Sequence, residues 1–355
     1  MNKLLSDSVD AVVHHFRAGT INWAMVIFLS LAHAAAVWGL WLVTSAQVDS
    51  RTLWWALFLW PVSGLGITAG AHRLWAHRSY TATWPLRLAL MLMNSMANQG
   101  SIYHWSRDHR VHHKHSDEEA DPHNASRGFF YSHVGWLLVK KQRATLEAGR
   151  ELPSEDLLAD PIVRFQRACD PWINLVMCFL LPALLPYLLW GEAYWTGFFV
   201  AGALRYCYVL HATWCVNSVA HFFGDRPYDT TSLPAENWFV AFVAIGEGWH
   251  NWHHRFPYDY ATSEFGASVQ YNPTKLFIDT CIWLGLASEP KRATKVWARM
   301  QAKQQQEKAG QQEGEGTDRL RSKKLSVSVA GGGGMNKASS LARVNQRAAA
   351  PLRKA

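Results

Sequence analysis

Long uncharged apolar stretches alternate along this chain with polar segments in which histidine clusters. Ile21 to Val43, INWAMVIFLSLAHAAAVWGLWLV, runs 23 residues without a charge. As a helix at about 1.5 Å per residue it spans roughly 35 Å, enough to cross hydrocarbon. Residues 52–70 form a second run of 19 residues. Its Pro61, Gly64 and Gly66 are tolerable where neighbouring helices satisfy the backbone again. Residues 172–190 and 195–217 are a third and fourth, bounded by tryptophans as interfacial anchors are. Arg205 lies inside the fourth and is expected to face the protein interior or to snorkel. The first run is longer than a signal-peptide apolar region, and no small-x-small cleavage site follows it cleanly.

The pattern predicts an all-α, multi-pass integral membrane protein with four transmembrane helices. Residues 44–51 hold only Arg51 and residues 191–194 no Lys or Arg, whereas residues 71–170 hold 13. The positive-inside rule then puts the termini, residues 71–170 and everything after 218 on the cytoplasmic side, facing inward from the inner membrane if the source is bacterial. The expected organisation is an N-terminal cytoplasmic segment (1–20), a single domain (21–299) and a polar tail from 300 to 355. The tail is Gln- and Gly-rich and is expected to be disordered. The net charge of +8 is then mostly topological. It could attract an acidic redox partner or an anionic substrate head, but no basic run accompanies a nucleic-acid motif, so no nucleic acid is expected. Cys169, Cys178, Cys207, Cys215 and Cys281 show no C-x-x-C spacing and read as small apolar residues in a reducing compartment.

The protein has 17 histidines. His72 and His77 follow the second run. His109, His112 and His113 lie in RDHRVHHKH, His221 follows the fourth run, and His250, His253 and His254 close GEGWHNWHH. Histidines at i, i+3 and i+4 share one side of a helix, so each H-x-x-H-H presents three imidazoles from little more than one turn, pointing the same way. His72 and His77, five apart, fall about 140° apart on a regular helix, so they should straddle a helix end or need a partner between them. All four groups fall on one predicted membrane face, where neutral imidazole is a common nitrogen ligand for Zn, Fe, Cu and Ni. Nine histidines exceed the four that tetrahedral zinc takes, which implies at least two metals with four or five imidazoles each. Asp108, Asp117, Glu118, Asp121 and Glu247 are placed to offset the charge and orient ring N–H groups. His14, His15, His33, His104, His115, His123, His133 and His211 are read as structural.

GITAGAHRLWAHRSY, WSRDHRVHHKHSDEEADPHNASRGFFYSHVGWLL, HATWCVNSVAHFFG and GEGWHNWHHRFPYDY resemble, in order and spacing, the histidine boxes of the integral-membrane fatty acyl-CoA desaturases of the stearoyl-CoA (delta-9) type. The match covers roughly residues 50–285. The resemblance implies four spans with a cytoplasmic helical cap holding two iron ions. Their ligands would be His72, His77, His109, His112, His113, His221, His250, His253 and His254, with Asn217 acting through a water. It also implies O2 as co-substrate, two electrons from outside, a saturated long-chain acyl-CoA as substrate, membrane lipid as surroundings and a cis double bond as product. A methylene C–H bond in the middle of an acyl tail has no acidity to exploit, so a metal–oxygen oxidant must carry the chemistry while the protein holds the tail and excludes water.

Further residues are carried over by the same resemblance. Gln99, Trp105, Thr213 and Trp214 would line a bent acyl tunnel. Trp60, twelve before His72, would limit its far end and favour a shorter or differently bent acyl tail. Arg107, Asp108 and Arg127 would meet the CoA part. Gly100, His104, Ser126 and His211 depart from the animal pattern, weakening the CoA contacts and leaving the ligands untouched. No fused haem domain with an H-P-G-G word is present. Electrons are therefore expected from a separate ferredoxin-like or cytochrome-b5-like carrier with an NAD(P)H reductase. Three alternatives stay open at this point: a desaturase of phospholipid acyl groups, a di-iron fatty acyl hydroxylase, and a histidine-rich metal transporter. The last would need polar or acidic residues inside the spans, which are nearly bare of them.

Overall fold

The computed structural model describes residues 15–311. The protein divides into two compact units, residues 1–294 and 295–355. The first unit is mostly helical. Its principal helices are α1 (Trp23–Thr44), α2 (Ser50–Leu65), α3 (Trp84–Ala97), α4 (Ile102–Lys114), α5 (Leu181–Trp190), α6 (Arg205–Asn217), α7 (Trp238–Val243), α8 (His250–Arg255) and α9 (Pro273–Trp283). Two-residue strands, Thr81–Ala82 and Ala287–Ser288, pair antiparallel. Among the described residues three helices are long and apolar enough to cross a membrane: Trp23–Thr44, Ser50–Ala76 and Trp172–Trp190. Residues 194–217 are continuously helical, with a π-helical stretch at Phe198–Leu204 leading into α6. Of the second unit, residues 295–311 are described and helical. The polar segment expected to be disordered from residue 300 is thus helical as far as 311, where Lys and Gln are good helix formers and Lys303 and Glu307 lie one turn apart. The rest of that tail, and His14, lie outside the described residues.

Arg205 faces inward and is buried, as its place in an apolar run requires. Its guanidinium donates to the carbonyls of Ala201 (3.1 Å), Met96 (2.7 Å) and Cys178 (2.7 Å), tying α6 to α3 and to the segment before α5. The five cysteines are free. At the other end of the bundle, α2 runs without a break into a π-helical stretch, Gly66–Ala76, every residue of which is buried. Gly66 opens this stretch where it crosses α3. A Cβ there would lie 2.1 Å from the backbone N of Asn94 and 2.2 Å from the backbone C of Met93, so only glycine lets the two backbones approach this closely. Gly66→Ala is therefore expected to push α2 off α3 and displace His72. A sharp fall in folded, monodisperse protein and in metal content relative to the parent would show this; unchanged values for both would refute it.

Candidate metal centre

All nine box histidines converge, and they do so as two groups. His72, His77, His109, His113 and His253 form one, and His112, His221, His250 and His254 the other, with the ligand nitrogens of each group within 4.8 Å of one another. Nε2 atoms face each other at 2.9 Å (His72–His253), 2.8 Å (His77–His109) and 2.9 Å (His113–His253) in the first. In the second the separations are 3.2 Å (His112–His254), 3.1 Å (His221–His250) and 3.1 Å (His250–His254). A cation about 2.1 Å from each of two adjacent ligands sets them about 3 Å apart, so the spacing suits metal ions.

Local structure explains how each box contributes. Within H-x-x-H-H the i, i+4 pair goes to one group and the middle histidine to the other. From α4, His109 and His113 enter the five-histidine group and His112 the four-histidine group. From α8, His250 and His254 enter the four-histidine group and His253 the five-histidine group. This corrects the expectation that three imidazoles from one turn point the same way: the residue at i+3 lies to one flank of the i, i+4 row, and here each helix lies between the two sites. His77 sits at the helix end, as its spacing predicts. The separation of about 140° expected from a regular helix is removed by π-helical winding. The His77 N–H donates to the carbonyl of His72 (3.0 Å), an i+5 bond, and the two rings lie 4.8 Å apart.

Three carboxylates fix ring orientation. Glu247 lies 3.1 Å from His72 Nδ1, Asp121 2.9 Å from His112 Nδ1 and Asp117 3.0 Å from His221 Nδ1. Each accepts the Nδ1–H and leaves the Nε2 lone pair turned to its group. Burial opposes ionisation of Glu247, yet the neighbouring Arg73 and His72 hold its carboxyl down to about 2. Burial opposes ionisation of Asp117 and Asp121 too, and the facing imidazoles keep both below the usual carboxylate range. Burial, with repulsion from the other rings, pushes His77, His109, His113, His250, His253 and His254 well below the usual imidazole value, so they are neutral donors at pH 7. Of the other two acids proposed from sequence, Asp108 turns away to Arg107 (3.1 Å) and Lys141, and the largely exposed carboxylate of Glu118 lies 3.3 Å from His115, outside both groups. Which acid faces a ligand ring is set by packing, which spacing alone does not reveal.

Two residues of the site escape a search by histidine spacing. Arg73, fully buried, donates to Glu247 (2.8 and 3.1 Å) and to the carbonyls of Tyr260 and Ala261. An arginine inside a histidine box, next to His72, was its available signal. Ile245, at the turn before Glu247, is the other: this β-branched residue is held at φ 46°. Its carbonyl accepts from the N–H (3.3 Å) and hydroxyl (2.7 Å) of Thr274. Such a conformation costs about 1–3 kcal/mol, which the surrounding bonds must offset.

A cavity of about 60 Å³ touches both groups, at His72 and His109 of the first and His112 and His250 of the second, and Asn217. Its apolar walls include Trp60, Ile67, Trp105, Val209, Ala212, Thr213, Val216 and Ile245. Gln99 braces the wall, donating to Thr213 Oγ1 (2.9 Å) and accepting from Trp105 Nε1 (3.2 Å). Trp60 packs edge-on against Tyr208 at 5.0 Å. Trp214 does not join them: it is buried on the opposite side of α6, against His33, His133 and His211. A separate open cleft of about 570 Å³ is lined by Arg127, Lys140, Lys141 and Arg143 among others. Arg107 and Asp108 stand apart from the metal groups as a pair joined to Lys141.

Glu247→Gln is expected to loosen His72 and lower metal affinity of the five-histidine group by roughly 10–100-fold, and Asp121→Asn to do the same at the four-histidine group. Metal content after dialysis against graded chelator measures this, and parent-like retention in both variants would refute it. In the metal-free protein these depressed imidazoles remain neutral while the unfolded protein takes up protons below about pH 6.5. Stability present above that pH is therefore lost as pH falls through it. The thermal midpoint of metal-free protein should drop between pH 7.5 and 5.5; a flat profile would contradict the assignment.

The fatty acid desaturase family model matches residues 52–265. Stearoyl-CoA desaturase 5 of Bos taurus is 55% identical over 275 residues, covering 78% of this chain and 81% of that protein. The Cyprinus carpio acyl-CoA desaturase is 55% identical over 285 residues, 79% and 86% of the two proteins. The human stearoyl-CoA desaturase is 51% identical over 274 residues, 77% and 75%. With nine imidazoles gathered in two groups at the end of an apolar cavity, and relatives this similar over most of its length, the chain belongs to the fatty acid desaturase family, within its stearoyl-CoA desaturase branch.

Proposed function

We propose that this protein inserts a cis double bond, at the delta-9 position, into a saturated long-chain acyl-CoA, using O2 and two electrons from a separate carrier. The observation that carries the reading is the apolar cavity that ends on His72, His109, His112 and His250, members of both histidine groups. Two irons suit these donors: five and four imidazoles, with three carboxylates behind them to balance the charge. Asn217 faces the same cavity and is assigned to one iron through a water. When bound, the iron pair supplies the oxidising power that an unactivated methylene requires.

The protein's own residues do the rest. Trp105, Thr213 and Gln99 hold one wall rigid through their mutual hydrogen bonds, which fixes where a methylene pair can sit. Ile67, Val209 and Val216 give the cavity apolar walls that suit an acyl tail. Trp60 closes its far part. Arg127, Lys140, Lys141 and Arg143 offer a cationic cleft suited to a phosphate-bearing head; Arg107 and Asp108 act beside it through Lys141. Trp214 is assigned to packing. Residues 194–217 are taken as a fourth crossing, with the histidine groups and a helical cap on the cytoplasmic side, and an acidic redox protein would find the basic face there.

Fatty-acid profiling of an expressing host tests this reading. New delta-9 unsaturated products in the acyl-CoA pool, absent with His112→Ala, and about two irons per purified protein are expected. Transport of zinc or copper with no new double bonds would overturn it, and hydroxylated products would point to the sister chemistry. Trp60→Ala should shift preference toward longer acyl groups by at least several-fold in kcat/KM, and an unchanged length profile would remove Trp60 from that role.

A further inference from the structure

Helix α8 carries three box histidines in six residues, too few for a helix to be stable alone. Its N-cap residue, Trp249, offers no side-chain acceptor to the free N–H groups of the first turn. The acceptor comes instead from another segment. Oε1 of Glu236 accepts from the Trp252 N–H at 2.9 Å. Asn251 and Trp252 are the two residues between His250 and His253. Asn251 is fastened as well: its Oδ1 accepts from the N–H groups of Tyr228 (2.8 Å) and Asp229 (3.1 Å), and its Nδ2 donates to the Pro234 carbonyl (2.9 Å).

The backbone of Glu236 joins two ligand-bearing segments. It pairs antiparallel with Asp225 on one side and with Trp249 on the other. Its N–H donates to the Asp225 carbonyl (2.7 Å), and the next N–H, of Asn237, donates to the Gly248 carbonyl (2.7 Å). A Cβ at Gly224 would lie 2.1 Å from the Glu236 carbonyl oxygen, so this crossing needs glycine. Just before it, the Ala235 N–H donates to the Ala220 carbonyl (2.7 Å), beside His221. The segment that leaves His221 thus returns to hold α8, and His221 and His250 face each other at 3.1 Å.

The carboxyl of Glu236 is suited to cap without bringing charge. Burial pushes it up to about 8, opposed by the Trp252 and Asn251 N–H groups and aided by Glu264 and Asp225. Its Oε2 is buried with no hydrogen-bond partner among the described residues. Tyr228 stands beside it and gives its hydroxyl to Glu264 (2.7 Å). Of the nearby cations, Arg226 donates to the carbonyls of Leu233 and His221, and Arg255 on α8 acts on Asp229.

We propose that Glu236 is a positioning residue for the four-histidine group, capping α8 from outside and setting His250 against His221. It acts through the Trp252 N–H, 16 residues away in sequence, so no local capping motif announces it. The assignment rests on reading the histidine groups as metal sites and not on the reaction they serve.

Glu236→Ala removes the acceptor, whereas Glu236→Gln keeps a neutral one of the same shape. Dialysis of the iron-loaded protein against graded chelator at pH 7 should show affinity lowered roughly 10-fold in Glu236→Ala and parent-like in Glu236→Gln. Parent-like retention in the alanine variant, or equal losses in both, would overturn the assignment. A second measurement does not need the alanine variant. The carboxyl has an ordinary value of 4.5 and sits at about 8 here, so the parent loses stability as pH rises through that window. The thermal midpoint of Glu236→Gln should therefore gain a few degrees on that of the parent between pH 6 and 8.5. A difference that does not change with pH would overturn the neutral cap. A parent that takes up no iron would sink the metal reading, and the midpoint difference would still decide the cap.

Discussion

Nine imidazoles crowded into two groups are the constraint on which the rest of this structure depends. Ring nitrogens facing at 2.8–3.2 Å gain little from each other, and burial has stripped them of water. Such an arrangement makes sense only if cations take the inward lone pairs and carboxylates take the outward N–H groups. Glu247, Asp121 and Asp117 meet the second requirement. Arg73 and the carbonyls around it are there because Glu247 is itself buried and needs a counter-charge: removing one partner of such a pair costs about 3–5 kcal/mol.

Holding these rings from several separate segments explains features that look irregular in isolation. The π-helical stretch Gly66–Ala76 puts His72 and His77 over one another, and Gly66 lets it cross α3 at backbone contact. The left-handed Ile245 turns the backbone so that Glu247 points at His72 and Arg73. Local strain and unusual winding sit where a ligand must be aimed. The same cavity that brings Asn217 and Thr213 to the metal groups is walled by α2 and α6, so binding of an acyl tail and binding of metal share their scaffold.

Opposite the cavity, α6 presents a second polar surface to α1. Trp214 and His211 face His33 and His133 there, away from the metal groups. One helix thus carries the acyl wall on one side and these histidines on the other, and Ser218 at its end touches both His133 and the turn toward His221.

Much of this was legible in the residues. Apolar runs of 19 and 23 residues announce membrane helices because hydrocarbon thickness sets their length, and H-x-x-H-H announces metal because helical spacing clusters imidazoles. Charge-bare spans likewise required Arg205 to turn inward. Sequence alone did not decide how the ligands divide: His112 parts from His109 and His113, and His253 from His250 and His254, because each helix lies between two sites, a relation of segments about 140 residues apart. Nor did it decide which acids serve. Asp108 and Glu118 sit as close in sequence to the box histidines as Asp117 and Asp121 do, and only packing shows that Asp117 and Asp121 face box rings. Trp214, adjacent to Thr213, lies on the far side of its helix for the same reason: composition and spacing specify what can bind, while the direction a residue takes is fixed by the neighbours that long-range folding supplies.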